Sequence, residues 1–263
     1  MSDRVALTIN GHIAEVMLNR PAKFNALDIG TFRALDDVAR RLDGEAEVRV
    51  VVLHGAGENF CTGIDLEALQ AGGDEIAREL LGPVEGSPAN LAQRAAYAWR
   101  ELRFPVVCAL QGIAFGGGLQ IALGADVRIA APTVQLSIME SKWGLIPDMA
   151  ISTTLRGVVS PEIAKELAFS ARIIGADEAL RLGVVARVED DPLAAARGLA
   201  ATIAARSPDA IRGIKRLFNE SGMLSEADAL ALEARIQLGI LASPNQSEAV
   251  CANLEKRAPK FVD

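Results

Sequence analysis

Pro105-Val106-Val107-Cys108-Ala109-Leu110-Gln111-Gly112-Ile113-Ala114-Phe115-Gly116-Gly117-Gly118-Leu119-Gln120-Ile121-Ala122-Leu123 sets the architecture of this chain. Residues 105–110 are a continuous apolar run of strand length, which predicts a strand covered on both faces. Residues 117–123 read as a helix, and the glycines at 112 and 116–118 mark the turn between the two. A buried strand that enters a helix through a glycine turn is the working unit of a layered α/β protein. Three adjacent glycines also permit close backbone approach to a ligand and leave N–H groups free at the helix start, so an anion or oxyanion site is one use for them. Tight strand–helix packing is the other. No Lys-Ser/Thr pair follows, as a P-loop requires, and the third glycine of a dinucleotide fingerprint is missing at its position.

The same alternation extends upstream. Residues 48–53 form a second buried-type strand, preceded by Phe32, Leu35, Ala39 and Leu42 at helical spacing. Residues 5–10 and 13–18 are β-prone runs on either side of Asn10-Gly11, a pair that favours the tight turn of a hairpin. Leu91, Ala95, Ala98 and Leu102 place a helix over 89–102, and 127–130 is a further strand. After about residue 185 the pattern changes to long amphipathic helices, with Leu193, Ala196, Leu199 and Ile203 on one and Ala227, Leu230, Ala234, Leu238 and Leu241 on another. Ser207-Pro208 and Ser243-Pro244 predict helix starts, because serine caps free N–H groups and proline at the first helical position loses no needed donor. Two glycines and two prolines over 81–88 predict a surface loop, and the wider stretch 69–90 is expected to shape a ligand pocket.

Bulk properties narrow the function classes. The chain has 263 residues, half of them apolar, enough to bury the core of one large domain or two small ones. A net charge of -7, without a long run of one sign, argues against nucleic acid or an anionic membrane as partner. Cys61, Cys108 and Cys251 are far apart and suggest neither a disulfide framework nor a zinc site; with His12 and His54 the only histidines, acid–base work falls to carboxylates. Met1-Ser2-Asp3-Arg4 leads into a strand pattern without a signal-peptide core, and no apolar run approaches the roughly 20 residues of a membrane span. A cytoplasmic protein is the expectation.

A second loop, Phe60-Cys61-Thr62-Gly63-Ile64-Asp65-Leu66, follows the 48–53 strand and so lies at a carboxyl strand end, where α/β proteins bind ligands. Asp65 there also reads as an N-cap for a helix beginning at Leu66. With Asn19-Arg20-Pro21-Ala22-Lys23-Phe24-Asn25-Ala26-Leu27, the glycine triplet, and Glu140-Ser141-Lys142-Trp143-Gly144-Leu145-Ile146-Pro147, it resembles, in order and spacing, the four signatures of the enoyl-CoA hydratase/isomerase (crotonase) superfamily. The likeness spans nearly the whole chain. It implies an α/β fold of stacked ββα turns over 1–190 and a helical oligomerisation region over 191–263, assembled as trimers or paired trimers. It implies an acyl-CoA substrate, no separate cofactor and no metal. By carry-over, the N–H groups of Thr62 and Gly117 form an oxyanion hole for the thioester. Lys23, Phe24, Ala26, Ile64, Asp65, Leu66 and Gly116 contact the substrate, and Lys260 and Phe261 reach its nucleotide end. Lys23 also reads as an ordinary exposed loop lysine.

The likeness departs from the common pattern at two positions, 120 and 148, the second of which is glycine in many members. Hydratases of this superfamily use two glutamates, one two residues after the glycine triplet and one four before the glycine of the GLIP segment. Here the second is Glu140 but the first is Gln120, whose amide cannot exchange a proton at neutral pH. Asp148, eight residues after Glu140, matches an aspartate of dienoyl-CoA isomerases in the superfamily. The set Glu140, Asp148 and Gln120 therefore implies double-bond isomerisation by a carboxylate proton shuttle, with hydration of a 2-enoyl-CoA as the alternative. Loss of the standard glutamate also leaves open a non-catalytic acyl-CoA-binding protein. Gln120 is expected to orient substrate or to hydrogen-bond Glu140, with an inert helix-surface role as its second reading, and Asp148 also reads as a helix N-cap.

Overall fold

The structure is a computed structural model that describes residues 3–263; Met1 and Ser2, and the part of the N-terminal reading that rests on them, lie outside the described residues. The hairpin forms as its Asn-Gly turn predicts: β1 (Val5–Asn10) pairs antiparallel with β2 (Ile13–Leu18) in the register Asn10 to Ile13. Asp28 then caps α1 (Ile29–Asp43), its side chain accepting from Thr31 N–H at 2.8 Å. There follow β3 (Val50–Gly55), α2 (Leu66–Leu81), α3 (Leu91–Glu101) and β4 (Val106–Leu110). A reciprocal capping box starts α3, with Asn90 and Gln93 each bonding the other's backbone N–H at 2.8 and 3.0 Å.

The chain continues through β5 (Ile113–Phe115), α4 (Gly117–Leu123), β6 (Val127–Ala130) and β7 (Gln135–Ser137). After α5 (Ile151–Thr154) and α6 (Pro161–Ser170) come β8 (Ile174–Gly175), α7 (Ala176–Arg181) and β9 (Arg187–Val188). Four helices complete it: α8 (Pro192–Ala204), α9 (Pro208–Ser221), α10 (Glu226–Ile240) and α11 (Pro244–Leu254).

Six strands form the main sheet in the order β1-β2-β3-β4-β6-β9, parallel except for the opening hairpin. Strand alternation divides its core. Val51, Leu53, Val106 and Cys108 face one side with α1, α3 and α4, while Val50, Val52, Val107, Ala109 and Ile129 face the other, where Ala196 and Ala200 of α8 cover them. The two-faced burial that the apolar runs predict is thus supplied from both halves of the chain. Each buried valine or leucine contributes about 1.5–3 kcal/mol, so covering the second face is a large part of what holds α8 in place.

A second sheet, β5-β7-β8, stands at the carboxyl ends of the first. Single bridges extend it, Cys61 to Ala114 and Leu27 to Ile64, so the 60–65 loop is stitched between the 24–27 segment and β5. Residues 66–81 depart from the loop expected across 69–90: they are helical, interrupted at Gly73, which takes φ +53° and ψ −145°. Helix-favouring residues on either side of the Gly72-Gly73 pair account for the two pieces. Among the described residues no helix is long and apolar enough to cross a membrane.

Candidate active site

The glycine turn and the 60–65 loop meet as the strand–turn–helix pattern predicts. Three backbone contacts build the meeting point. Cys61 N–H donates to Ile113 O at 3.0 Å, Phe115 N–H donates to Cys61 O at 3.0 Å, and Gly116 N–H donates to Ser137 O at 2.9 Å. The close approach needs glycine: a β-carbon on Gly118 would collide with the Cys61 carbonyl, and one on Gly63 would lie 2.7 Å from Phe115 O and 3.5 Å from Gly117 N. Gly63 also holds φ at +92°, a conformation that side chains with a β-carbon resist.

That conformation settles which N–H groups are available. Thr62 is not free to serve as the expected donor, because its N–H is bonded to Phe24 O at 3.0 Å. Phe24 and Asn25 both sit in the left-handed region, φ +51° and +57°, which aims that carbonyl at the loop. Beyond Gly63 the chain turns over: Leu27 N–H donates to Gly63 O at 2.8 Å and Asp65 N–H donates to Leu27 O at 2.9 Å. In such a parallel bridge Ile64, between the two bonds, must point its own N–H away from Leu27, toward the β5 and Gly117 side. Neither Ile64 N–H nor Gly117 N–H has a protein partner among the described residues. Gly117 is the first residue of α4, where no intrahelical acceptor exists for its N–H. Sequence reading placed Ile64 in the site but did not single out its N–H; the signal was Gly63, where a positive φ and a close approach to Phe115 O both call for glycine.

Glu140 lies beside these donors. Its carboxylate packs over Gly116, whose β-carbon would come within 3.2 Å of Oε1. Gln120, fully buried, donates from Nε2 to Glu140 Oε1 at 2.6 Å and accepts from Met149 N–H at 2.9 Å through Oε1. The inert-surface reading of Gln120 is therefore wrong. Glu140 Oε2 is buried without a partner. Burial pushes the Glu140 carboxyl above its usual range and the nearby Asp148 charge adds to the rise, while its own backbone N–H, Gln120 and Met139 N–H oppose it. Asp148 is exposed on one side; the protein packed against it raises its carboxyl too, against its own backbone N–H. Asp148 caps no helix, since α5 begins after Ala150 with no side-chain cap. Met149, also missed in the sequence, stands with Leu27 against Gly117: a β-carbon there would meet Met149 Sδ at 2.7 Å and Leu27 Cδ1 at 3.1 Å.

Other expected contacts fall elsewhere. Asp65 is buried as the cap of α2, accepting from Ala68 N–H at 3.2 Å, and pairs with Arg20 at 2.8 Å. Burial works against its charge, but Arg20 and Ala68 N–H hold its carboxyl below the usual range. It braces the loop, one oxygen on Ala68 N–H and the other on Arg20. Lys23 is exposed and pairs with Glu67 at 3.1 Å; Phe24 is exposed, Ala26 buried, and Leu66 opens α2. Lys260 and Phe261 do not line this chain's own site. Phe261 O accepts from Arg49, and Asp263 pairs with Arg49 at 2.5 Å, which ties the tail to the amino end of β3. The site lies past the carboxyl end of that strand, roughly 17–20 Å away. Cys61 and Cys108 are buried and Cys251 is exposed, all with free thiols.

A sequence profile of the family described as enoyl-CoA hydratase/isomerase matches residues 8–263. The chain belongs to the enoyl-CoA hydratase/isomerase family. Enoyl-CoA hydratase EchA19 of Mycobacterium tuberculosis is 32% identical over 255 residues, covering 95% of this chain and 93% of that protein. Carnitinyl-CoA dehydratase of Proteus mirabilis is 32% identical, covering 99% of each. The crystal structure of enoyl-CoA hydratase from Bacillus anthracis superposes with a TM-score of 0.91 at 28% identity, covering 98% of each chain. The α/β core with its helical carboxyl-terminal third is accordingly the crotonase fold, and this member of the enoyl-CoA hydratase/isomerase family is an acyl-CoA enzyme.

Proposed function

We propose that this enzyme moves a double bond along an acyl-CoA thioester by a proton shuttle between Glu140 and Asp148. The carrying observation is the bonding of Gln120: both ends of its amide are occupied, by Glu140 and by Met149 N–H, so the ionisable oxygens left at the site belong to Glu140 and Asp148. In this reading Glu140 removes a proton from C2 of a 3-enoyl- or 3,5-dienoyl-CoA. The electron pair of the broken C–H bond forms the C1–C2 bond of the thioester enolate; when the carbonyl re-forms, that pair becomes the C2–C3 double bond and the π pair at the far end takes up the proton. Asp148, entering the cycle as the protonated partner of the pair, returns a proton at the far end of the conjugated system, and no atom is gained or lost. Ile64 N–H and Gly117 N–H are the proposed donors to the enolate oxygen, each worth about 3 kcal/mol in the transition state. Coenzyme A enters as part of the substrate, and the proton balance calls for no further cofactor.

Hydration of a 2-enoyl-CoA is the second reading, favoured by relatives named as hydratases and dehydratases. Glu140 alone would then position the water. Supplying 2-enoyl-, 3-enoyl- and 3,5-dienoyl-CoA and following conjugation together with water incorporation separates the two. The isomerase reading predicts turnover of the 3-enoyl or dienoyl substrate; fast hydration of the 2-enoyl substrate alone would replace it. Binding of all three without turnover would favour a non-catalytic protein. Trimers or paired trimers are the proposed assembly, supported by the exposed apolar side chains Ile146, Phe169, Phe218 and Leu254, and the cytoplasm is the proposed compartment.

A further inference from the structure

The Gln120 amide can be oriented only one way. Met149 N–H is a donor, so it selects the amide oxygen and leaves Nε2 facing Glu140 Oε1. One carboxylate oxygen is therefore occupied by an N–H, while Oε2 remains buried without a partner. Through Met149 the same amide grips the backbone directly beside Asp148.

We infer that Gln120 is a positioning residue that reserves Glu140 Oε2 as the single proton-carrying oxygen and fixes its spacing from the Asp148 segment. An amide suits this task better than the carboxylate found there in hydratases. A glutamate at 120 would still accept from Met149 N–H, but it would set an oxygen 2.6 Å from Glu140 Oε1, where two carboxylates must share a proton. Oε1 would then compete with Oε2 for the proton, and the shuttle would lose its direction. Asp148 is the ionisable group whose charge acts on Glu140. Lys142 of the same turn lies over the Trp143 ring, and α6 meets this turn through Ser141 Oγ, which donates to Ala168 O at 2.7 Å. The inference rests on the isomerase reading for its chemistry and on the bonds of Gln120 for its geometry.

The test reads both separately. Protein labelled with ¹³C at glutamate carboxyls is titrated by NMR as wild type, Gln120→Leu and Gln120→Glu, with the Glu140 signal assigned by its loss in Glu140→Gln. Isomerisation kcat and KM are measured on the same samples. The expected result is a Glu140 titration moved to higher pH in both variants, as two coupled steps in Gln120→Glu. At pH 7 kcat should fall at least tenfold while KM stays within threefold. An unchanged Glu140 titration and unchanged kcat in Gln120→Leu would overturn the inference and leave the isomerase reading standing. A shifted titration in a protein that isomerises nothing would keep the positioning role and sink that reading. If Gln120→Leu does not fold, Gln120→Asn, one methylene short of both partners, gives the same readouts.

Discussion

Gly63 does at one residue what no side chain at that position could: its φ of +92° turns the backbone over, so that Ile64 N–H rather than Thr62 N–H faces Gly117. Exchanging the backbone amide for an ester removes a single N–H with little change of shape. At residue 64 this exchange is expected to lower kcat about 10²–10³-fold. At residue 62, where the lost bond is to Phe24 O, it should reduce stability by about 1 kcal/mol and leave more of the rate intact. Steady-state kinetics and denaturant titration of the two semisynthetic proteins check both. The raised Glu140 carboxyl gives a stability prediction with a definite sign. A carboxyl whose folded-state pKa lies above its ordinary 4.5 favours the folded protein below that value, and the benefit is lost as pH rises through the folded pKa. Glu140→Gln is therefore expected to be more stable than wild type at pH 8 and to lose that advantage by pH 4, as urea midpoints would report. Glu140, Gln120, Asp148 and Gly117 were singled out through the resemblance to the family's motifs; spacing along the chain could not by itself have brought Glu140 and Asp148 together. The identity of the second donor was not legible, since it depends on which way a carbonyl points after a positive φ.

Among the elements, β4, the glycine turn and α4 follow directly from residues 105–123, where an apolar run, turn residues and helix formers succeed one another without conflict. The stretch 66–81 was harder to read because Gly72-Gly73 interrupts it, and a helix with a glycine break is locally indistinguishable from a loop. What α8 and α9 pack against could not be read at all, because that depends on contacts distant in sequence. Lys215 illustrates this. It is buried in α9, and its Nζ donates to Trp99 O at 2.9 Å and Phe104 O at 3.0 Å and pairs with Asp126 at 2.9 Å. Three partners from the far side of the core pin one helix. Lys215→Ala is expected to destabilise the protein by about 3 kcal/mol, because two carbonyls and a carboxylate are left behind without their cation. Thermal unfolding would show it as a lowered Tm, with the kcat of the remaining folded protein little changed.

The whole molecule separates its functions along the strands. Both loops of the site and the two carboxylates gather beyond the carboxyl end of the main sheet, while the tail is anchored by Arg49 at the amino end, and Asn245 bonds Val262 N–H and O at 2.9 Å each. Every group named in the proposed shuttle comes from the segments 60–65, 116–120 and 140–149. The reaction itself is tested most directly by NMR in D₂O on a 3,5-dienoyl-CoA, comparing wild type with Asp148→Asn. Wild type is expected to convert it to the 2,4-dienoyl product with deuterium at the far carbon. Asp148→Asn, with Glu140 and the two N–H donors intact, should still exchange the C2 proton but form that product at least a hundredfold more slowly. Equal rates of product formation by the two proteins would contradict the two-carboxylate shuttle.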